Sequence, residues 1–171
     1  KYGFKRKNNF RLADHFVSQR DFAVFDTAHR LNTMVRTTDG FDYNRMCLLI
    51  AVLEKRMGLK FYENDVYLNV AGGIRLDEPS ADLSIAMALI SGITDRVIPE
   101  HLIAFGEIGL LGEVRAVSHI DYRVKEAIRL GFTKIILPKK NLSTKVKVAE
   151  NVKLYGVENI YEVLAHMLSK S

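Results

Sequence analysis

The chain has 171 residues, 48% hydrophobic and 26% charged, with three prolines. That is the size and composition of one globular domain and excludes a disordered or fibrous protein. Cys47 is the single cysteine, which excludes an intrachain disulfide or cysteine-rich metal site, and the net charge of +5 is not spread evenly. Residues 1–60 hold twelve Lys/Arg against six Asp/Glu, residues 61–118 three against nine, and residues 119–171 ten against five. Basic ends around an acidic middle suit a surface that faces a polyanion. No apolar stretch is long enough to span a bilayer, and the charged start Lys1–Lys7 precedes no secretory apolar core. The expectation is a soluble, cytoplasmic protein with no membrane partner.

Residues 1–36 carry little pattern beyond the basic cluster Lys5-Arg6-Lys7-Asn8-Asn9 and a short strand at Phe22-Ala23-Val24-Phe25. They read as an N-terminal arm or edge segment, with the domain proper over 37–171. From Asp42, a cap after Gly40, the run Met46–Leu53 continues through Glu54-Lys55-Arg56 to Gly58. Cap, basic last turn and terminal glycine define a helix, apolar nearly all round in its first turns and therefore expected to be well covered.

Val66–Val70 alternates as a strand and ends at Gly72-Gly73. The turn Leu76-Asp77-Glu78-Pro79-Ser80-Ala81-Asp82 then opens a buried helix that ends near Gly92. Ser80 suits an N-cap, with Asp82 adding charge to the first turn, but a hydroxyl at such a place also suits a nucleophile. For Asp77, Glu78 and Asp82 the expected roles are capping and solvation.

Three short β-like pieces follow, Leu102–Phe105, Glu107-Ile108 and Val114–Val117, separated by the glycines Gly106, Gly109 and Gly112. Ser118 and Asp121 resemble a capping box before a helix reaching Gly131. Lys134–Leu137 is a strand closed by Pro138, Lys139–Lys147 a polar loop, Val152–Tyr155 a last strand and Asn159–Leu168 an amphipathic helix. Strands alternating with helices give an α/β (α+β) domain, a mixed sheet with packed helices. No phosphate-cradling P-loop is present, and the five histidines have no metal-binding spacing.

Three stretches carry a resemblance: Gly72–Asp82, Phe105–Val117 and Ala127–Pro138, with Gly40–Met46 and Ala51–Arg56 upstream. In order and spacing, over residues 37–168, the chain resembles the C-terminal Lon-protease-like domain of the bacterial DNA-repair family RadA, also called Sms. The resemblance implies a Lon proteolytic-domain-like fold. In Lon, a Pro-Ser-Ala turn supplies the serine nucleophile and a later stretch the lysine that deprotonates it. Pro79-Ser80-Ala81 matches the first, with Asp82 in place of a glycine. Gly112–Asp121 matches the second and puts Asp121 where the lysine stands.

A serine hydroxyl needs a neutral base within hydrogen-bond reach, and a carboxylate is far weaker than an amine freed by burial. A second negative charge also opposes the developing oxyanion. Ser80 and Asp121 therefore read as degenerate dyad positions without catalysis, and Lys125, a turn later, could substitute only with the helix displaced or its long side chain folded back. The resemblance further implies hexameric rings, branch migration driven by ATP, a zinc finger and ATPase outside this chain, and the recombinase RecA as partner. Neither ATP nor zinc is expected in the chain itself.

A retained scaffold of this kind would support the ring and contact double-stranded or branched DNA. Arg115, Arg123, Lys125, Lys139, Lys140, Lys145 and Lys147 are the candidate contacts, on elements that could share a face. Two rivals stand beside this reading: an active serine peptidase using Ser80, and a protein-interaction ring without DNA affinity.

Overall fold

The computed structural model describes residues 24–27, 35–70, 75–143 and 148–168. The cluster at 5–9, Gly72-Gly73, Lys145 and Lys147 lie outside them. In chain order the elements are β1 (Val24–Thr27), β2 (Arg36–Asp39), α1 (Tyr43–Met57), β3 (Asn64–Asn69) and α2 (Asp82–Thr94). Then come β4 (Leu102–Ala104), β5 (Glu107–Ile108), β6 (Val114–Arg115), α3 (Ile120–Arg129), β7 (Lys134–Pro138), β8 (Lys153–Val157) and α4 (Ile160–Leu168).

Local chemistry sets the bounds of α1. The Asp42 side chain accepts the Arg45 N–H, and Gly58, at φ 66°, gives its N–H to the Glu54 carbonyl at 3.1 Å. Both ends are thus satisfied where the sequence placed them. Its cover is less complete than expected: Met46, Leu49, Ile50, Val52 and Leu53 are buried, but Tyr43 and Leu48 stay exposed and Cys47 half-exposed. The helix packs along one arc only.

Central strand β3 pairs antiparallel with β1 and parallel with β2. A second sheet, order β4-β7-β8, is parallel throughout, with α3 crossing between β4 and β7. Parallel neighbours need such a crossover, and its helix covers one face. Side chains on β7 alternate accordingly. Ile135 and Leu137 pack with Ile120, Val124 and Ala127 of α3, whereas Ile136 joins the larger core built from α1, α2, β3 and α4. Both faces of β7 are therefore buried, each enclosed side chain contributing about 1.5–3 kcal/mol.

Strands β5 and β6 form a separate antiparallel hairpin. Gly112, at φ 84°, closes its turn, giving an N–H to Gly109 and accepting one from Ile160. Gly106 is a glycine for a different reason: a Cβ there would stand 2.9 Å from Val114 Cγ1.

Two local expectations about helix ends are not met. Ser118 does not cap α3; the cap position is His119 at φ 56°, while Arg123 donates to the Ser118 carbonyl at 3.0 Å. The second helix runs two residues past Gly92, to Thr94, and turns off at Asp95, at φ 54°. At α4 the cap is real, with Asn159 Oδ1 accepting the N–H groups of Tyr161 and Glu162.

Candidate functional site

Pro79–Ala81 form a single tight turn that feeds directly into α2. Ser80 is 6% exposed, and its hydroxyl caps neither the turn nor the helix. What holds the segment is backbone: Gly106 donates to the Ser80 carbonyl at 2.9 Å, and Leu83 donates to the Gly106 carbonyl at 3.0 Å. Ser84 adds a hydrogen bond to the Ala104 carbonyl. The turn is thereby stitched to the end of β4.

The carboxylates around Ser80 are not solvated as a group. Asp82 is fully buried, accepts Arg45 Nε at 3.0 Å and a further bond from Arg45 Nη2, and takes the Ile108 N–H at 3.0 Å. Arg45 Nη2 also donates to the Ile108 carbonyl at 3.2 Å. Burial pushes the Asp82 carboxyl above the ordinary range, against the downward pull of Arg45 and the Ile108 amide. The guanidinium, bonded to that carboxylate, is raised. Enclosed charge is tolerated because both Asp82 carboxylate oxygens accept hydrogen bonds, from Arg45 and from the Ile108 amide.

Glu78 is bound as well, to Arg123 of α3. Arg123 is 7% exposed, and desolvation lowers its pKa. Asp77, paired with Arg75, stays on the surface as expected, and Glu78 remains part-exposed beside Arg123. These contacts bring the start of α3 against the turn that carries Ser80.

Asp121 lies in the first turn of α3 and is exposed. Lys125 is exposed one turn later. Among the described residues, no lysine, histidine or carboxylate is hydrogen-bonded to the Ser80 hydroxyl. Groups of His, Cys, Asp and Glu able to hold a metal ion are absent among the described residues. None of the described helices is long and apolar enough to cross a membrane.

The candidate DNA contacts divide by environment. Arg115 is exposed but bridges Glu107 at 3.0 Å and Glu113 at 2.6 Å. Lys139 pairs with Glu158 at 3.3 Å. Arg123 faces inward to Glu78, so it does not share an outer face with the others. Lys140 is exposed in the Lys139–Ser143 turn after β7, which Asn141 anchors by accepting the Val117 N–H and donating to the Val117 carbonyl.

A stretch that runs from the buried half of α1 to the end of α4 matches the Lon protease (S16) C-terminal proteolytic domain, over residues 49–170. The chain belongs to that family. Within it, the similarity is to the Lon-like domain of the RadA proteins. It is 45% identical over 135 residues to the DNA repair protein RadA of Halalkalibacterium halodurans, covering 79% of this chain and 29% of that protein. Against the RadA of Streptococcus pneumoniae it is 46% identical over 129 residues, 75% of this chain and 30% of the relative. Against that of Chlamydia muridarum it is 42% identical over 131 residues, 76% and 29%. The chain thus spans under a third of the length of these relatives. The mixed α/β architecture agrees with the family's proteolytic-domain fold.

The Arg45–Asp82 pair was not visible in the sequence. Asp82 signalled only a charged first turn, and nothing local tied it to a residue 37 positions earlier.

Proposed function

We propose that this chain is a Lon-type domain without peptidase activity that serves a RadA-type DNA repair ATPase. Its role there is to scaffold a ring and to contact duplex DNA irrespective of sequence. Its carrying support is the similarity to DNA repair proteins named RadA, at 42–46% identity. The ATP site, the zinc finger, branch migration and the partner RecA belong to the parent protein in this reading, and its setting is the cytoplasm.

Absence of peptidase activity follows from chemistry at Ser80. Attack on an amide requires a base that takes the hydroxyl proton and donors that receive the oxyanion. Asp121, at the position assigned to the base, is an exposed carboxylate, and among the described residues no base is bonded to the hydroxyl. The neighbourhood instead supports a structural role, since Asp82 and Glu78 are each committed to an arginine.

A casein or fluorogenic-peptide assay tests this directly: no turnover is expected, before or after Ser80→Ala. Turnover abolished by Ser80→Ala would replace the reading with that of a serine peptidase. Anisotropy titration of labelled duplex at low and high salt tests the DNA role, with tight binding expected at low ionic strength. No binding there would leave a protein-interaction ring.

A further inference from the structure

Parallel pairing of β7 with β8 sets Lys134 directly opposite Lys153. Alternation places both on one face, that of Ile136 and Tyr155, because Ile135 and Leu154 pack on the α3 side. Adjoining strands lie about 4.8 Å apart, so two ammonium-bearing stems leave the sheet side by side. Like charges directly opposite in a sheet are destabilising. Evolution of a sheet end has a simple relief for this, a carboxylate between them, yet among the described residues none forms an ion pair with either lysine.

Several cations elsewhere on the chain are differently placed. Arg115, Arg123, Arg129 and Lys139 are each neutralised by a neighbouring carboxylate. Lys134 and Lys153 have no ion-pair partner among the described residues, and they stand at the amino end of the parallel β4-β7-β8 sheet. His101 joins them there, its carbonyl accepting the N–H groups of both Thr133 and Lys134. The half-buried His166 lies against Tyr155, two residues along β8.

We infer that Lys134 and Lys153 form a phosphate clamp for the DNA backbone at the amino end of the β4-β7-β8 sheet. The inference rests on the DNA-contact reading above and moves its centre from the loop after β7 to the opposite end of the strands. Two flexible ammonium groups side by side hold one phosphate between them or span successive ones. Such contact carries no base information, so it is independent of sequence and released by salt.

The test is duplex binding by the protein as Lys134→Gln/Lys153→Gln, with Lys55→Gln as control and thermal unfolding measured on each. Lys55 is an exposed cation in the last turn of α1. The double variant should lower the slope of log affinity against log salt by about 2, weaken all duplex sequences alike, and unfold no earlier than wild type. Lys134→Arg/Lys153→Arg should keep the slope. An unchanged slope in the Gln variant, an equal loss in Lys55→Gln, or a lowered unfolding temperature would each overturn the clamp. So would displacement of duplex by millimolar inorganic phosphate at constant ionic strength, which would mark a site for a single small anion. If wild type binds no duplex at low salt, the DNA reading itself fails, an outcome distinct from the others.

Discussion

Arg45 and Asp82, from the first turns of two different helices, meet in an ion pair whose carboxylate has no exposure to solvent and whose second oxygen also holds the hairpin at Ile108. One side chain thus joins α1, α2 and β5. Removing a partner from a buried pair usually costs about 3–5 kcal/mol because the other charge is stranded. The Arg45 side chain keeps 30% exposure and can reach water, which puts Asp82→Ala at the lower end of that range. Urea denaturation should show the midpoint falling accordingly, and an unmoved midpoint would mean the pair is not formed.

Ser80 and Asn159 make a controlled comparison of two helix starts. Asn159 accepts two backbone N–H groups and donates to Glu162, so Asn159→Ala should lose about 0.5–2 kcal/mol. Ser80 caps nothing, and Ser80→Ala should escape that loss. Equal losses in chemical denaturation would contradict the assignment of the caps.

His166 connects stability to pH. Burial lowers its pKa below the value of about 6.5 found in unfolded chains, with Glu162 opposing the shift. The unfolded chain therefore takes up a proton first as pH falls. Its contribution is complete above pH of about 6.5 and is lost as pH falls from there through the folded pKa. NMR titration should place the His166 midpoint below 6.5, and Glu162→Gln should lower it further. A midpoint above that of an unfolded histidine would refute the burial argument.

Gly106 sits where β4, the Ser80 turn and the hairpin converge. A methyl group there would meet Val114 Cγ1 at 2.9 Å and both Leu83 Cδ2 and Pro138 Cγ at 3.4 Å. Gly106→Ala should cost about 1–3 kcal/mol through overpacking. Val114→Ala in the same background should recover part of it, and a lack of coupling between the two in unfolding experiments would rule out that steric cause.

Elements closed by their own neighbours were legible in the sequence. Asp42 and Gly58 bounded α1 because cap and C-terminal turn involve residues within a few positions of each other. Strand β7 declared itself by a continuous apolar run ended by Pro138, though which of its residues faced which core required the sheet. Ser118 was misleading for the opposite reason. Its spacing to Asp121 satisfied a local pattern, but its carbonyl accepts from Arg123 and the cap position falls on His119, before the helix begins at Ile120.

By itself the sequence determined the order of strands and helices and the family resemblance, because each of these is carried by residue identity and short spacing. Tertiary structure alone decided which charges are spent and which are left over. Asp82 and Glu78 find Arg45 and Arg123 across 37 and 45 positions, while the register of two parallel strands sets Lys134 beside Lys153 with no such partner among the described residues. Electrostatic energy depends on distance through space and on the local dielectric, and neither is written in the spacing of residues along a chain.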